Sequence, residues 1–166
     1  IFALLYWNNE TSYNKWNPNR EVIFEVLSNL PSGEKWEYTQ AGLAKNIKLK
    51  SNKLQDYCYY LPNYIEENII VNGKNNYATN IIISQSNFFD FFPFEFINGN
   101  IDTFKKNKNS IALEEREAKS IFGDKNPINQ IMSINDEIFV ITGVFKLNEL
   151  SSSKPEYVVS SIDSDL

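Results

Sequence analysis

Histidine is absent from the 166-residue chain. With it go the usual general base near neutral pH, the Ser-His-Asp and Cys-His arrangements of nucleophilic catalysis, and the commonest transition-metal ligand. Cysteine occurs once, at Cys58, so no intrachain disulfide can form, and zinc sites built from Cys and His are excluded. Cys58 lies in the apolar run LQDYCYYL and reads as a small buried hydrophobe rather than a reactive thiol. No phosphate loop, dinucleotide fingerprint, nucleophile elbow or EF-hand spacing is present. Paired-carboxylate hydrolysis and an oxygen-ligand Ca²⁺ or Mg²⁺ site stay formally open. Neither finds its residues. Asp124 in GDKN reads as turn chemistry, and successive glutamates in ALEEREA point in different directions, as at a solvated helix start. The sequence therefore offers no catalytic, metal-ligating or cofactor-binding residue, implies no cofactor, and leaves binding residues unassigned.

Positive charge is also in deficit. The formal net charge is -5 and the pI is about 4.8. That argues against nucleic-acid binding, which needs a basic surface to neutralise phosphates, and against electrostatic docking of the chain to anionic lipid. Local lysine clusters, at Lys45, Lys48, Lys50 and Lys53 and at Lys105, Lys106 and Lys108, read as solvated faces. Long hydrophobic runs are missing too. IFALLYW (1–7) is too short to cross a bilayer, which takes roughly 20 helical residues, and it lacks the charged flank of a signal peptide. It reads either as a first buried strand or as the last turns of a longer apolar helix, with Tyr6-Trp7 suited to a membrane interface.

What the chain has is aromatic and aliphatic mass: 42 % hydrophobic and 14 % aromatic residues, with six of twelve phenylalanines inside SNFFDFFPFEFINGN. This is enough for a core in one domain or two small lobes. Alternation of Val22, Phe24 and Val26 with Glu21, Ile23 and Glu25 predicts a strand ended by Pro31-Ser32-Gly33. Ala41, Leu43, Ala44 and Ile47 predict a helix over 38–49 capped by Thr39. KLQDYCYYL (53–61) predicts a strand stopped by Pro62. The β-branched runs of 68–85, flanking Asn72-Gly73-Lys74-Asn75, predict a hairpin. Ser84 or Ser86 is placed to cap a helix running to Phe92, with Pro93 as its stop, and Asn98-Gly99-Asn100 predicts a turn. SIALEEREAKSIFG (110–123) predicts a strand entering a helix closed by Gly123. A second hairpin is expected across Asn135-Asp136. Its second strand, EIFVITGVF, is apolar on both faces and so should be central, with the helix ending at Phe122 as candidate cover for Gly143. YVVSSI predicts the last strand. Strands and short helices alternate without a regular βαβ rhythm, which indicates an α+β domain with mixed or antiparallel sheets, in one lobe or two.

The order of these pieces resembles the MacB-like periplasmic core domain of ABC-transporter permeases of the macrolide-exporter and FtsX-like superfamily. The likeness runs through IFALLYW, ETSYNKW (10–16), REVIFEV, SNFFDFFPFEFINGN, the strand-helix SIALEEREAKSIFGDKNPI (110–128) and IFVITGVF (138–145). It covers nearly the whole chain and is strongest from Ser86 to Phe145. Many relatives carry Pro-Ile-Gly-Lys where this chain has Pro127-Ile128-Asn129-Gln130, which raises a question about that turn. The resemblance implies that residues 1–12 end a first transmembrane helix and its juxtamembrane segment. Residues 13–166 would form the extracytoplasmic domain, held on the periplasmic side of the inner (cell) membrane. It implies a permease dimer, a cytoplasmic ABC ATPase subunit and a periplasmic adaptor or outer-membrane partner, with no chemistry in the domain itself. It also implies that the phenylalanine helix is core beneath a sheet, with Phe94 and Phe96 partly exposed. Without the resemblance, a second reading stands: a secreted module binding glycan or peptide on Trp16, Trp36 and Tyr57-Tyr59-Tyr60.

Overall fold

In the computed structural model, residues 13–40, 42–63 and 65–161 are described; the expectations for residues 1–12 and for Ala41 lie outside them. Eleven strands and four helices alternate among these residues. Eight strands follow one path: β3 (Tyr60–Asn63), β6 (Ile81–Ser84), β11 (Tyr157–Ser160), β8 (Ser110–Glu114), β10 (Glu137–Lys146), β9 (Ile131–Ile134), β4 (Glu67–Val71) and β5 (Lys74–Ala78). A ninth strand, β7 (Glu95–Gly99), pairs with β10 off this path. β6 runs parallel to β11, and β8 parallel to β10; the other pairs are antiparallel. The helices are α1 (Leu43–Lys50), α2 (Phe88–Phe91), α3 (Ile101–Lys106) and α4 (Glu115–Phe122).

A short connection sets the shape. β3 stands first and β4 seventh in the strand order. In a flat sheet they would lie roughly 29 Å apart at the usual strand spacing. Asn63 and Glu67 are four residues apart in the chain, which spans at most about 14 Å. The sheet must therefore curl, and the Asn63 side-chain amide donates to Glu67 Oε1 at 2.9 Å across the gap. The curl also explains how Ile69 and Val71 of β4 share one core with Ile81 of β6. That inner core takes Ile111, Leu113, Met132, Ile141 and Tyr157 from the strands and is capped by Ala118 and Phe122 of α4.

The opposite face of the sheet carries a second core of Ile82, Ala112, Phe145 and Val158, covered by the phenylalanine segment. Phe88 stacks on Phe92 at 4.7 Å, and Phe89 meets Phe104 of α3 edge-on at 5.0 Å. Phe94 lies between Trp16 (4.9 Å) and Phe145 (5.5 Å). Edge and offset contacts of this kind add to area burial. The core expectation holds for Phe88 and Phe89, with corrections: Phe94 is buried, and Phe91 and Phe92 are partly exposed along with Phe96. The ring of Trp16 fills the space that would have opened Phe94 to water.

Both predicted hairpins form. Asn72-Gly73 and Asn135-Asp136 are two-residue turns with positive φ at both positions (52° and 73°; 48° and 68°), as the right-handed strand twist requires. The partner of β4, however, is Lys74–Ala78; the β-branched run Ile81–Ile83 belongs to β6 and pairs elsewhere. Gly123 closes α4 with φ 60°. Asn129, in the turn Pro127-Ile128-Asn129-Gln130, takes φ 67° and donates its backbone N–H to the Ile141 carbonyl at 2.8 Å. Asn tolerates this left-handed conformation better than most residues.

Four expectations fail. Glu21–Val26 is not a strand; only Ser28–Asn29 (β1) pairs with Lys35–Trp36 (β2), in a separate small sheet. Its alternating residues never meet a ladder partner. Pro62 does not stop a strand but sits inside β3, which pairs on one side only and so tolerates a missing N–H; residues 54–59 ahead of it are irregular. Neither Thr39 nor Ser84 nor Ser86 caps a helix: the caps are Gly42 and Asn87, without side-chain bonds, and the Ser84 hydroxyl donates to the Val159 carbonyl instead. Gly143 faces Phe96 rather than α4.

β10 is central, with β8 on one side and β9 then β7 on the other. Where β7 joins it, Gly143 opposes Gly99. A Cβ on Gly99 (φ 77°) would collide with the Thr142 carbonyl, whereas one on Gly143 would meet the Phe96 ring. Backbone cannot yield, but a half-exposed ring can tilt away. Gly99→Ala is expected to cost roughly 2–4 kcal/mol, from left-handed strain plus the clash, and Gly143→Ala distinctly less. Urea melts of the two variants check the order.

Candidate interaction surface

Of the acidic groups considered for chemistry, Glu114 and Glu117 are engaged in structure. Glu114 accepts the Arg116 N–H at 2.7 Å and caps α4. Glu117 accepts the Tyr157 hydroxyl at 2.8 Å. Burial first, and then that carboxylate, push the Tyr157 phenol well above its usual range. Glu115 and Asp124 are exposed. Glu67 accepts from Asn135 (2.7 Å) and Asn63 (2.9 Å), which hold its carboxyl below the usual carboxylate range. Among the described residues no group of three or more Cys, Asp or Glu is placed to hold a metal ion.

Of the aromatics of the binding-module reading, Tyr57 and Tyr59 meet edge-on at 5.5 Å. Trp16 is built into the phenylalanine layer. Tyr60 lies edge-on to Phe88 and Phe92. The Tyr59 hydroxyl accepts the Ala44 N–H of α1 at 2.9 Å. Tyr57 borders a shallow polar groove with Lys45, Lys48, Asp56 and Asn87. Within it, burial pushes the Asp56 carboxyl up, but hydrogen bonds from Lys48, the Tyr57 backbone and Asn87 outweigh that and hold it low. Lys48 is paired to Asp56 at 2.7 Å, and Lys105 to Asp90 at 2.6 Å.

The surface that stands out is apolar. Val22, Phe24, Val26, Leu27, Trp36, Tyr38, Leu43, Ile47 and Leu49 are all exposed, with Phe24 at 81 %, Leu49 at 78 % and Val22 at 73 %. α1 buries none of its residues. Single exposed hydrophobes are ordinary, but nine between Val22 and Leu49 make this segment the candidate interaction surface of the domain. The alternation of Val22, Phe24 and Val26 predicted a strand that does not form, and these side chains are exposed.

No protein-family model matches the chain, and no curated protein sequence is significantly similar to it. Solved structures are. A domain of a protein assigned as a permease from Porphyromonas gingivalis superposes with a TM-score of 0.60 at 19 % identity, over 86 % of this chain and 62 % of that one. The periplasmic region of MacB from Actinobacillus actinomycetemcomitans gives 0.50 at 17 %, over 74 % of this chain and 64 % of that one. The chain thus spans less than two thirds of either. Its fold is the α+β fold of MacB-like extracytoplasmic domains.

Cys58 packs against the phenylalanine layer, and burial pushes its thiol up to about 12. Only the thiolate attacks a disulfide reagent. At pH 8 its reaction with Ellman's reagent is expected to be slower than that of a free thiol by on the order of a thousandfold, from the lower thiolate fraction. A rate within tenfold of free cysteine would show the site to be open.

Proposed function

We propose that this chain is the extracytoplasmic domain of an ABC-transporter permease, set between the first and second membrane helices. The shared fold carries the reading: both structures described above are domains or periplasmic regions of transport proteins. Residues 1–12 end the first membrane helix and its juxtamembrane segment, and residues 13–166 form the domain outside the inner (cell) membrane. Among the described residues no helix is long and apolar enough to cross a membrane. The permease works as a dimer with cytoplasmic ABC ATPase subunits. The domain performs no reaction and binds no nucleotide. It passes an ATP-driven change of shape to the exported substrate, or to a periplasmic adaptor or outer-membrane partner.

A force-transmitting domain must move as a body without deforming. Two cores on the two faces of one curled sheet supply that stiffness, since close-packed interiors transmit strain. The reading is tested in the full-length permease with its ATPase, spin-labelled at Ser120→Cys on exposed α4. The distance between the two copies is expected to change when ATP is trapped. The distance between Ser120→Cys and Thr103→Cys within one domain is expected to stay constant. An unchanged inter-copy distance would contradict coupling. A changed internal distance would contradict the rigid lever.

A further inference from the structure

The phenylalanine roof covers only part of the outer face of the sheet. It lies over Ile82, Ala112, Phe145 and Val158, on β6, β8, β11 and the end of β10; among the described residues none of β9, β4 or β5 belongs to that second core. On those strands the registers fix the rest of the face. Asn75, Ile70, Ser133 and Ile138 stand opposite one another across β5, β4, β9 and β10, with Tyr77 opposite Asn68 and Val140 opposite Ile131 beside them. Residues paired in this way share one face, and their chain neighbours Ile69, Val71, Met132, Ile134 and Phe139 turn to the inner core. The five apolar members are nevertheless exposed, from 37 % at Val140 to 70 % at Tyr77. None of the eight positions is charged. Lys74 and Glu137 pair with Val71 and Ile134, in the registers that face inward, and Lys108 precedes β8.

We propose that a second copy of the chain packs on this face, sheet against sheet, about a two-fold axis. At about 200 Å² for a large side chain, the five apolar residues leave roughly 500 Å² open per copy. A pair then buries about 1,000 Å², the lower bound for a specific interface and the range of weak, reversible complexes. The composition selects the occupant. A centre that is apolar and free of charge is the character of homodimer interfaces. A two-fold contact sets one face against itself, so no second complementary patch is needed. Each copy carries a net charge of -5, and two such copies approach best where neither presents a charge. A lipid surface is the poorer fit, because the face holds no lysine or arginine to meet headgroups. The inference stands on the sheet alone; in a permease, the two copies would be those of its dimer.

Sedimentation velocity of the 166-residue chain tests it, over a concentration series up to about 1 mM, where even a weak complex forms. A reversible monomer–dimer equilibrium is expected. Ile138→Lys puts like charges on the two sides of the contact and is expected to weaken the dimer on the order of tenfold or more. The far-UV circular dichroism should not change, because Ile138 is exposed. Ile131→Lys, on the neighbouring strand, should act in the same way, and it carries the test if the first variant folds poorly. Leu49→Lys, also at an exposed apolar position but on α1, should leave the equilibrium unchanged. A chain that stays monomeric throughout the series overturns the proposal. So does self-association that survives both lysine changes on the sheet, or that disappears with Leu49→Lys, since either result places the contact elsewhere.

Discussion

The short link between Asn63 and Glu67 constrains everything else. Because it joins the first and seventh strands of one sheet, the sheet cannot lie flat. Curling creates an inside, filled by Ile69, Ile111, Leu113, Met132, Ile141 and Tyr157 under α4. It also creates an outside that would be a large apolar surface in water. The phenylalanine segment is the answer to that second face. Five of its six phenylalanines, all but Phe91, roof Ile82, Ala112, Phe145 and Val158. β10 pairs with β8, β9 and β7; its Phe139, Ile141 and Val144 serve the inner core and Phe145 the outer one, while Ile138 and Val140 are exposed.

Asparagine does much of the work that glycine does in other chains. Of the seven non-glycine residues with positive φ among the described residues, six are asparagine: Asn14, Asn72, Asn80, Asn109, Asn129 and Asn135. Its short amide can bond locally and tolerates the left-handed region. Several of these positions also fasten segments together. Asn14 N–H donates to the Leu150 carbonyl, and the Asn80 amide reaches Glu156. The scarcity of glycine and the abundance of asparagine are thus one fact about the turns.

How much of this was legible depended on how local the cause was. Turns at Asn72-Gly73 and Asn135-Asp136, the strand-helix unit 110–122 and its Gly123 close are decided by neighbours in the chain, and they read correctly. The partner of Ile81–Ile83 is decided by the curl, which no local pattern encodes. Pro62 looked like a stop because edge position is a property of the whole sheet. Gly143 was expected to meet a helix or neighbouring backbone; the Gly99 backbone does lie opposite it, whereas the Phe96 ring beside it is invisible in the spacing. The alternation of Val22, Phe24 and Val26 was read as a strand, which does not form, because whether such a run finds a ladder partner is decided outside it.

The central claim is mechanical: a stiff, doubly packed sheet carries a separately exposed segment. Amide hydrogen exchange measured residue by residue tests it most directly, because protection reports how far a region must open before water reaches it. Residues 139–145 of β10 should exchange only through global unfolding and rank among the slowest in the domain, while residues 22–27 exchange near the rate of free chain. If β10 exchanged as fast as the Ser151–Ser153 connection, the sheet would be opening locally, and a lever built on it could not transmit force.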